Sequence, residues 1–222
     1  MPTAPDLAPA LRFLDELSQN NEKSWFDQHR PAYEAARRAF EQFVDDLIDE
    51  LRESEQLQGL AAKDCIARIY RDVRFSKDKS PYKTNFGALI APGGWRSGAL
   101  GYYVGLEPHG RSMVAGGLYS PTPEQLDRFR QAIDEDAAAF QRVTGAQEFV
   151  EVFGEVEGER LKTAPKGYDR AHPRIALLQL KQVTAIRRFS DQEVLAPGLA
   201  GQVLAACRAM KPFLAYLYGV LG

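Results

Sequence analysis

Hydrophobic and polar positions divide the chain into three stretches. From residue 10 to 58 apolar residues recur at helical spacing. Leu11, Leu14 and Leu17 mark a short helix that ends at the turn-forming pair Asn20-Asn21. Ser24, with Asp27 three residues on, reads as the cap of the next helix. Pro31 starts or kinks a long helix whose apolar face carries Tyr33, Ala36, Phe40, Phe43, Val44, Leu47, Ile48 and Leu51. Glu41, Asp45, Asp49 and Arg52 take its other face.

The period changes after Gly59. In a strand, Cys65, Ala67, Ile69, Val73 and Phe75 would face one side and Arg68, Tyr70, Asp72 and Arg74 the other. Arg71 breaks this alternation by landing on the apolar side. A second run, 84–91, ends at the turn signal Pro92-Gly93-Gly94. Leu100, Tyr102, Val104 and Leu106 alternate with Gly101, Tyr103, Gly105 and Glu107, and Pro108-His109-Gly110 reverses the chain into 112–119. Residues 63–120 therefore predict an antiparallel meander.

Helical signals return over 121–222. Thr122-Pro123-Glu124-Gln125 is a capping box with proline in the first turn, followed by Leu126, Phe129, Ile133, Ala137 and Phe140 on one face. Phe149, Val150 and Phe153 belong to a shorter helix stopped at Gly154. His172-Pro173 opens another with Leu177, Leu178 and Leu180, and Ser190 with Glu193 forms a further capping box. A terminal helix carries Leu199, Val203, Cys207, Met210, Phe213 and Leu217, with Pro212 as an expected kink. Helices, strands, then helices predict an α+β fold. A central, mainly antiparallel sheet is covered by N-terminal and C-terminal helices within one domain, 1–222.

Composition narrows the class. Of the 222 residues 45% are apolar and 26% charged, values of an ordinary globular chain and not of a disordered one. Two cysteines, Cys65 and Cys207, exclude a disulfide scaffold and a four-thiolate zinc site, and suit buried thiols in a reducing compartment. No apolar run approaches the ~20 residues of a membrane span. The start, MPTAPDLAPALRFL, lacks a basic stretch before an apolar core. The expectation is a cytoplasmic protein with no membrane partner.

The net charge of −2 conceals a segregation. Residues 1–60 hold 6 basic and 13 acidic side chains, residues 66–83 hold 6 basic and 2 acidic, and residues 160–188 hold 8 basic and 1 acidic. Net charge argues against broad nucleic-acid binding, since such domains are usually basic overall. The two basic stretches invite a local reading instead.

Both stretches carry a distinctive motif. The first is Arg71-Asp72-Val73-Arg74-Phe75-Ser76-Lys77-Asp78-Lys79-Ser80-Pro81-Tyr82-Lys83, and the second is Leu161-Lys162-Thr163-Ala164-Pro165-Lys166-Gly167-Tyr168-Asp169, followed by His172-Pro173. With the opening FLDELSQNNEKSWFDQHRPAYE, residues 13–34, they resemble a family of bacterial and fungal proteins catalogued as domain of unknown function 2461. Its signature is similar to RDxRFSxDKxPYK with a later LKxxPKGxD, and nothing here departs from it. The resemblance covers nearly the whole chain and implies a compact intracellular domain. It brings no substrate and no catalytic residue.

Chemistry must therefore come from the residues. Arginine presents a planar fork matched to phosphate or carboxylate, and lysine adds flexible point charges. Pro81 stiffens the first segment, Tyr82 offers a ring and a hydroxyl, and Gly167 admits a close backbone approach. The expectation is that the two segments meet around a phosphorylated or otherwise anionic small molecule. Its binding residues would be Arg71, Arg74, Lys77, Lys79, Tyr82, Lys83 and Lys166. Two alternatives stay open. The cations form an open stripe for nucleic acid or protein, or Arg71 and Arg74 pair with carboxylates of the N-terminal helices and lock helix to sheet.

Other matches carry less. Ser76-Lys77-Asp78-Lys79 fits S-x-x-K but follows a strand, not a helix start. Arg71-Asp72 lacks the glycine-rich loop and metal aspartate of a kinase, and Gly93-Gly94 and Gly116-Gly117 lack the strand-to-helix setting of a phosphate loop. His29, His109 and His172 fit no zinc spacing, so no metal site is assigned. His172, near the second basic segment, is the candidate general acid–base, or else a helix cap. Asp72 or Asp78 could hold magnesium alongside a phosphate, without a second carboxylate motif in support. Trp25-Phe26 reads as a core anchor and Trp95, among glycines, as exposed. Cofactor, oligomeric state and whether there is turnover are not assigned.

Overall fold

The computed structural model describes residues 6–222. Residues 1–5, part of the segment read for a leader, lie outside the described residues. The chain forms two compact units: one runs through Val114 and adds Arg188–Ala205, and the other comprises Ala115–Arg187 and Ala206–Gly222.

In the first unit, α1 (Ala8–Gln19) buries Leu11, Phe13, Leu14 and Leu17 and ends at Asn20, whose N–H donates to the Leu17 carbonyl. The next helix, α2 (Lys23–Gln28), is capped differently from expectation. Ser24 lies inside it, and Glu22 precedes it without a side-chain cap. Pro31 sits in the first turn of α3 (Arg30–Leu51), where its missing N–H costs nothing, and the helix buries Ala36, Phe40, Phe43, Val44, Leu47, Ile48 and Leu51. That face meets the sheet through Phe40 and Phe86, whose rings stack at 5.6 Å.

The first expected strand is absent. Ala62–Cys65 is a helical turn, α4, and the chain then makes only isolated bridges, Ile66 to Ala88 and Tyr70 to Tyr82. Phe75, expected on the apolar side, is 96% exposed. The alternation holds as far as Tyr70 and fails where Arg71 interrupts it, because the chain there turns away from the sheet into a loop. Regular pairing begins at β1 (Phe86–Ile90), antiparallel to β2 (Tyr102–Leu106) with Phe86 opposite Leu106 and Ile90 opposite Tyr102. Phe86, Ala88, Ile90, Tyr102, Val104 and Leu106 are buried.

The sheet is four-stranded and antiparallel, in the order β1-β2-β3-β4, with β3 at Ser112–Leu118 and β4 at Val183–Phe189. The α+β architecture is as expected, and β4 falls outside 63–120, in the stretch read as mainly helical. Three of its buried residues, Val183 to Ala185, are consecutive, and the fourth, Phe189, comes only after Arg187 and Arg188, so period-2 alternation never develops.

The second unit is built on α5 (Pro123–Thr144). Thr122 and Gln125 form the expected capping box, with Gln125 N–H to Thr122 Oγ1 at 3.2 Å and Thr122 N–H to Gln125 Oε1 at 2.9 Å. The helix is interrupted at Asp136, which has φ −148° and ψ 78°. Helix α6 (Gln147–Phe153) stops at Gly154 with φ 71°, and α7 (Ile175–Leu178) is a single turn. Phe129, Phe140, Phe149 and Phe213 make an aromatic core, with Phe149 and Phe213 at 5.6 Å. Arg130 is buried beside it and donates Nε to the Leu178 carbonyl at 2.9 Å, which fixes α5 to α7. Ser190 and Glu193 cap α8 (Asp191–Leu195) as expected. The final helix, α9 (Leu199–Leu221), runs on through Pro212.

Cys65 and Cys207 are buried and form no disulfide. Burial, with help from Asp64 and Asp45, pushes the Cys65 thiol up to about 12, which disfavours the thiolate. Among the described residues no helix is long and apolar enough to cross a membrane.

Candidate functional site

The first basic motif forms a hairpin loop with a built base. Arg71 N–H donates to the Pro81 carbonyl at 2.9 Å and Lys83 N–H to the Ile69 carbonyl at 2.8 Å, on either side of the Tyr70–Tyr82 bridge. Asn21 clamps the returning arm: its Nδ2 donates to the Tyr82 carbonyl at 2.9 Å and its Oδ1 accepts the Tyr82 N–H at 3.1 Å. The Tyr82 ring lies flat on Phe26, 4.0 Å between centroids and 13° between planes, and the residue is 3% exposed. Burial raises its phenol pKa further above the ordinary value. Tyr82 is thus an anchor of the loop, and its ring face is already covered.

Within the loop the carboxylates are committed to the chain's own groups. Asp72 receives a two-pronged contact from Arg74, at 2.9 Å from Nε and 2.7 Å from Nη2. This depresses the Asp72 pKa and raises that of Arg74. Asp78 accepts the Ser80 hydroxyl at 2.6 Å and the Ser80 N–H at 2.9 Å, and it pairs with Arg71. The Ser80 bonds first, and then Arg71, hold the Asp78 carboxyl down at about 2. Arg71 also reaches the Ser80 carbonyl at 3.2 Å, and Lys79 donates Nζ to the Val73 carbonyl at 3.0 Å. These contacts correct one expectation: Arg71 and Arg74 pair inside their own segment and not with carboxylates of α1 to α3. Asp72 and Asp78 are both paired within the loop, and among the described residues no group of three or more His, Cys, Asp or Glu is placed to hold a metal ion. Ser76 lies in the loop with its N–H on the Val73 carbonyl, not at a helix start.

Three basic side chains stand apart from this internal pairing. Lys77 is exposed near the tip, beside the exposed Phe75, and Arg68 is exposed on the arm. Among the described residues neither makes an ion pair. Lys83 is half-buried, with Nζ 5.7 Å from the centre of the Trp95 ring. Burial, and then the nearby positive charge of Arg68, lower the Lys83 pKa.

Trp95 keeps 39% of its surface exposed and lies 6.5 Å from Tyr103, with the two rings 53° apart. Tyr103 rests over the outer face of β1 and β2, where the paired residues are Gly87 and Gly105. A Cβ at Gly87 would come within 2.7 Å of the Tyr103 hydroxyl, and one at Gly105 within 2.9 Å of the same ring. Asn85 donates Nδ2 to the Tyr103 hydroxyl at 3.1 Å and holds the ring there. The cavity in the core of this unit, about 10 Å³ among Phe40, Phe43, Val104, Leu106 and Phe189, has barely the room of one water and belongs to packing.

The second motif lies in the second unit. Pro165 to Tyr168 is a turn, with the Tyr168 N–H on the Pro165 carbonyl at 3.2 Å. Gly167 has φ 92°, where a side chain would be strained, and open space around it. Lys166 is exposed at this turn. His172 has both ring nitrogens engaged: Nδ1 accepts the Arg174 N–H at 3.1 Å and Nε2 meets Asp134 Oδ1 at 3.0 Å. An Nδ1 lone pair held by a backbone N–H places the neutral ring's proton on Nε2, facing Asp134. That arrangement ties α5 to the start of α7 and leaves no ring nitrogen for a substrate proton.

Sequence reasoning therefore missed three contributors. Asn21 looked like a turn residue, and only the fold reveals its backbone clamp. Arg68 and Trp95 were visible as types, Arg68 within the basic stretch and Trp95 as an exposed ring, but their approach to Lys83 is tertiary.

The family model described as "Conserved hypothetical protein (DUF2461)" matches residues 9–216, and the chain belongs to that family. No curated protein and no solved structure matches the chain.

Proposed function

We propose that this family member binds a phosphorylated or otherwise anionic small molecule at the root of the hairpin, with Lys83 and Arg68 as its principal cations. One observation carries the reading. Lys83 is a half-buried ammonium that makes no ion pair among the described residues, and Arg68 adds a second positive charge close to it. Desolvating an ammonium next to a like charge is unfavourable, and an arriving anion relieves both penalties at once. The remaining cations support it differently. Arg71 and Arg74 are neutralised by Asp78 and Asp72 and stiffen the loop, so less freedom is lost when a ligand docks. Lys77 extends positive potential to the tip, and Lys79 is held to the backbone by its Val73 contact. Lys166 belongs to the second unit.

Calorimetric titration with inorganic phosphate and pyrophosphate at low salt tests it. Saturable binding is expected, weakened by about 10-fold or more in Lys83→Ala and in Arg68→Ala, the range of a lost charged hydrogen bond. Heat that never saturates, or equal affinity in both variants, overturns the reading.

A second reading has one observation in its favour. Phe75 is 96% exposed beside the Arg74 guanidinium, 5.9 Å from its ring centre, which suits a tip that docks on nucleic acid. Polynucleotide binding that falls steeply with salt and is lost in Phe75→Ala supports it.

A further inference from the structure

Beside the cations of the proposed anion site lies an aromatic corner that anion binding does not use. Trp95 and Tyr103 meet at 53°, with the Lys83 ammonium over the Trp95 ring. Their setting is constructed. Gly87 and Gly105 face each other across β1 and β2, and the Tyr103 ring occupies the space two side chains would fill. Asn85 pins the hydroxyl end of that ring at 3.1 Å. The tryptophan sits in the short Gly94–Arg96 turn. Gly94, with φ 68° and its Cβ direction pointed at the Asp64 backbone, admits no side chain there. A half-exposed indole held beside a cation pair is suited to a ligand that is flat and apolar at one end and negative at the other.

Resting on the anion-binding reading, we infer that the ligand is a nucleoside phosphate, its phosphate on Lys83 and Arg68 and its base against Trp95. Stacking of a base on an aromatic side chain is tolerant of base identity, so the corner selects for a base and not for one base. A phosphosugar would satisfy the cations and leave the indole in water. Tyr103 forms the second wall, and its tilt is set by Gly87 and Gly105. Tyr103 is thus a positioning residue, and Gly87→Ala, which forces the ring to move, tests it without removing any aromatic group.

The experiment is a parallel titration of inorganic phosphate, ribose 5-phosphate and AMP into wild type, Trp95→Ala, Trp95→Phe and Gly87→Ala. AMP is expected to bind about 10-fold more tightly than ribose 5-phosphate to wild type, in the range of one stacked base. Trp95→Ala should abolish that preference, bringing AMP down to the affinity of ribose 5-phosphate, and Trp95→Phe should restore part of it. Gly87→Ala should reduce the preference without touching phosphate. Equal affinity for AMP and ribose 5-phosphate, with phosphate still binding, overturns the nucleoside inference and leaves the anion reading standing. Equal loss of phosphate and AMP in Trp95→Ala overturns it too, since the indole would then act only by holding Lys83. Absence of phosphate binding to wild type removes both readings.

Discussion

Asn21 and Tyr82, 61 residues apart, are joined by two hydrogen bonds through one side-chain amide: Nδ2 to the Tyr82 carbonyl at 2.9 Å and the Tyr82 N–H to Oδ1 at 3.1 Å. The amide stands in for a neighbouring strand and pairs both backbone groups of a residue whose ring is buried on Phe26. Asn21→Ala leaves a partly buried N–H and C=O unpaired, at about 2 kcal/mol. The expected drop in melting temperature is about 4–8 °C for a chain this long. Asn21→Asp keeps the acceptor and loses the donor, so it should fall between. Thermal melts of the three proteins check this, and an unshifted Asn21→Ala would show that the clamp is replaceable by water.

Asp78 makes the hairpin sensitive to acid. Its carboxyl is held at about 2, below the ordinary 3.8, by Ser80 and Arg71. A carboxyl depressed on folding adds stability above its unfolded value, and that contribution is lost as pH falls through the folded one. The hairpin should therefore stay ordered at pH 5 and loosen between about pH 4 and 2. Asp78→Asn should bring the loosening to neutral pH, seen as faster proteolysis within residues 71–81 in a chain whose melting temperature barely changes. Equal protease resistance of variant and wild type at pH 7 would mean that Pro81 and the Asn21 clamp suffice.

The sequence reveals elements wherever one face repeats long enough. The face of α3, the capping boxes at Thr122 and Ser190, and the alternation of β2 are all local patterns, and all form. It fails where pairing overrides pattern. Residues 71–75 continue a strand-like alternation on paper, yet Arg71 bonds across to Pro81, and Phe75 ends in solvent. In β4 Val183 to Ala185 are buried in succession, so no alternation marked it as a strand. The site divides in the same way. Which residues are basic was plain, and so was the stiffening Pro81. Which cations are already neutralised depends on Asp72 and Asp78 turning back on their own loop, and spacing does not record that.

His172 is expected to act in stability and not in binding. Its Nδ1 holds the Arg174 N–H and its Nε2 meets Asp134, two contacts that join α5 to α7 within the second unit. His172→Ala should cost about 1 kcal/mol, a typical net value for a hydrogen bond, and lower the melting temperature by about 2–4 °C. Phosphate affinity should stay at the wild-type value. A variant that melts normally and binds phosphate or AMP more weakly would return His172 to the functional site.

Lys83 should be a residue whose removal stabilises the unliganded protein. Its pKa lies below the ordinary 10.5 because burial and Arg68 disfavour the charged form. The unfolded chain then holds the proton more tightly than the folded one. Between the folded value and 10.5 the unfolded state carries more protons, so stability rises with pH across that window. Below the window the full penalty applies. Lys83→Met keeps the aliphatic stem against Trp95 and deletes the ammonium. At pH 7 without added anion its melting temperature should equal or exceed the wild type by about 1–3 °C, and the difference should close near pH 10.5. Added phosphate reverses the order, because a ligand that binds only the folded wild type stabilises it by mass action. A structural lysine behaves oppositely: Lys83→Met would melt several degrees lower at pH 7, with or without phosphate, and the cation would then belong to the fold and not to a ligand.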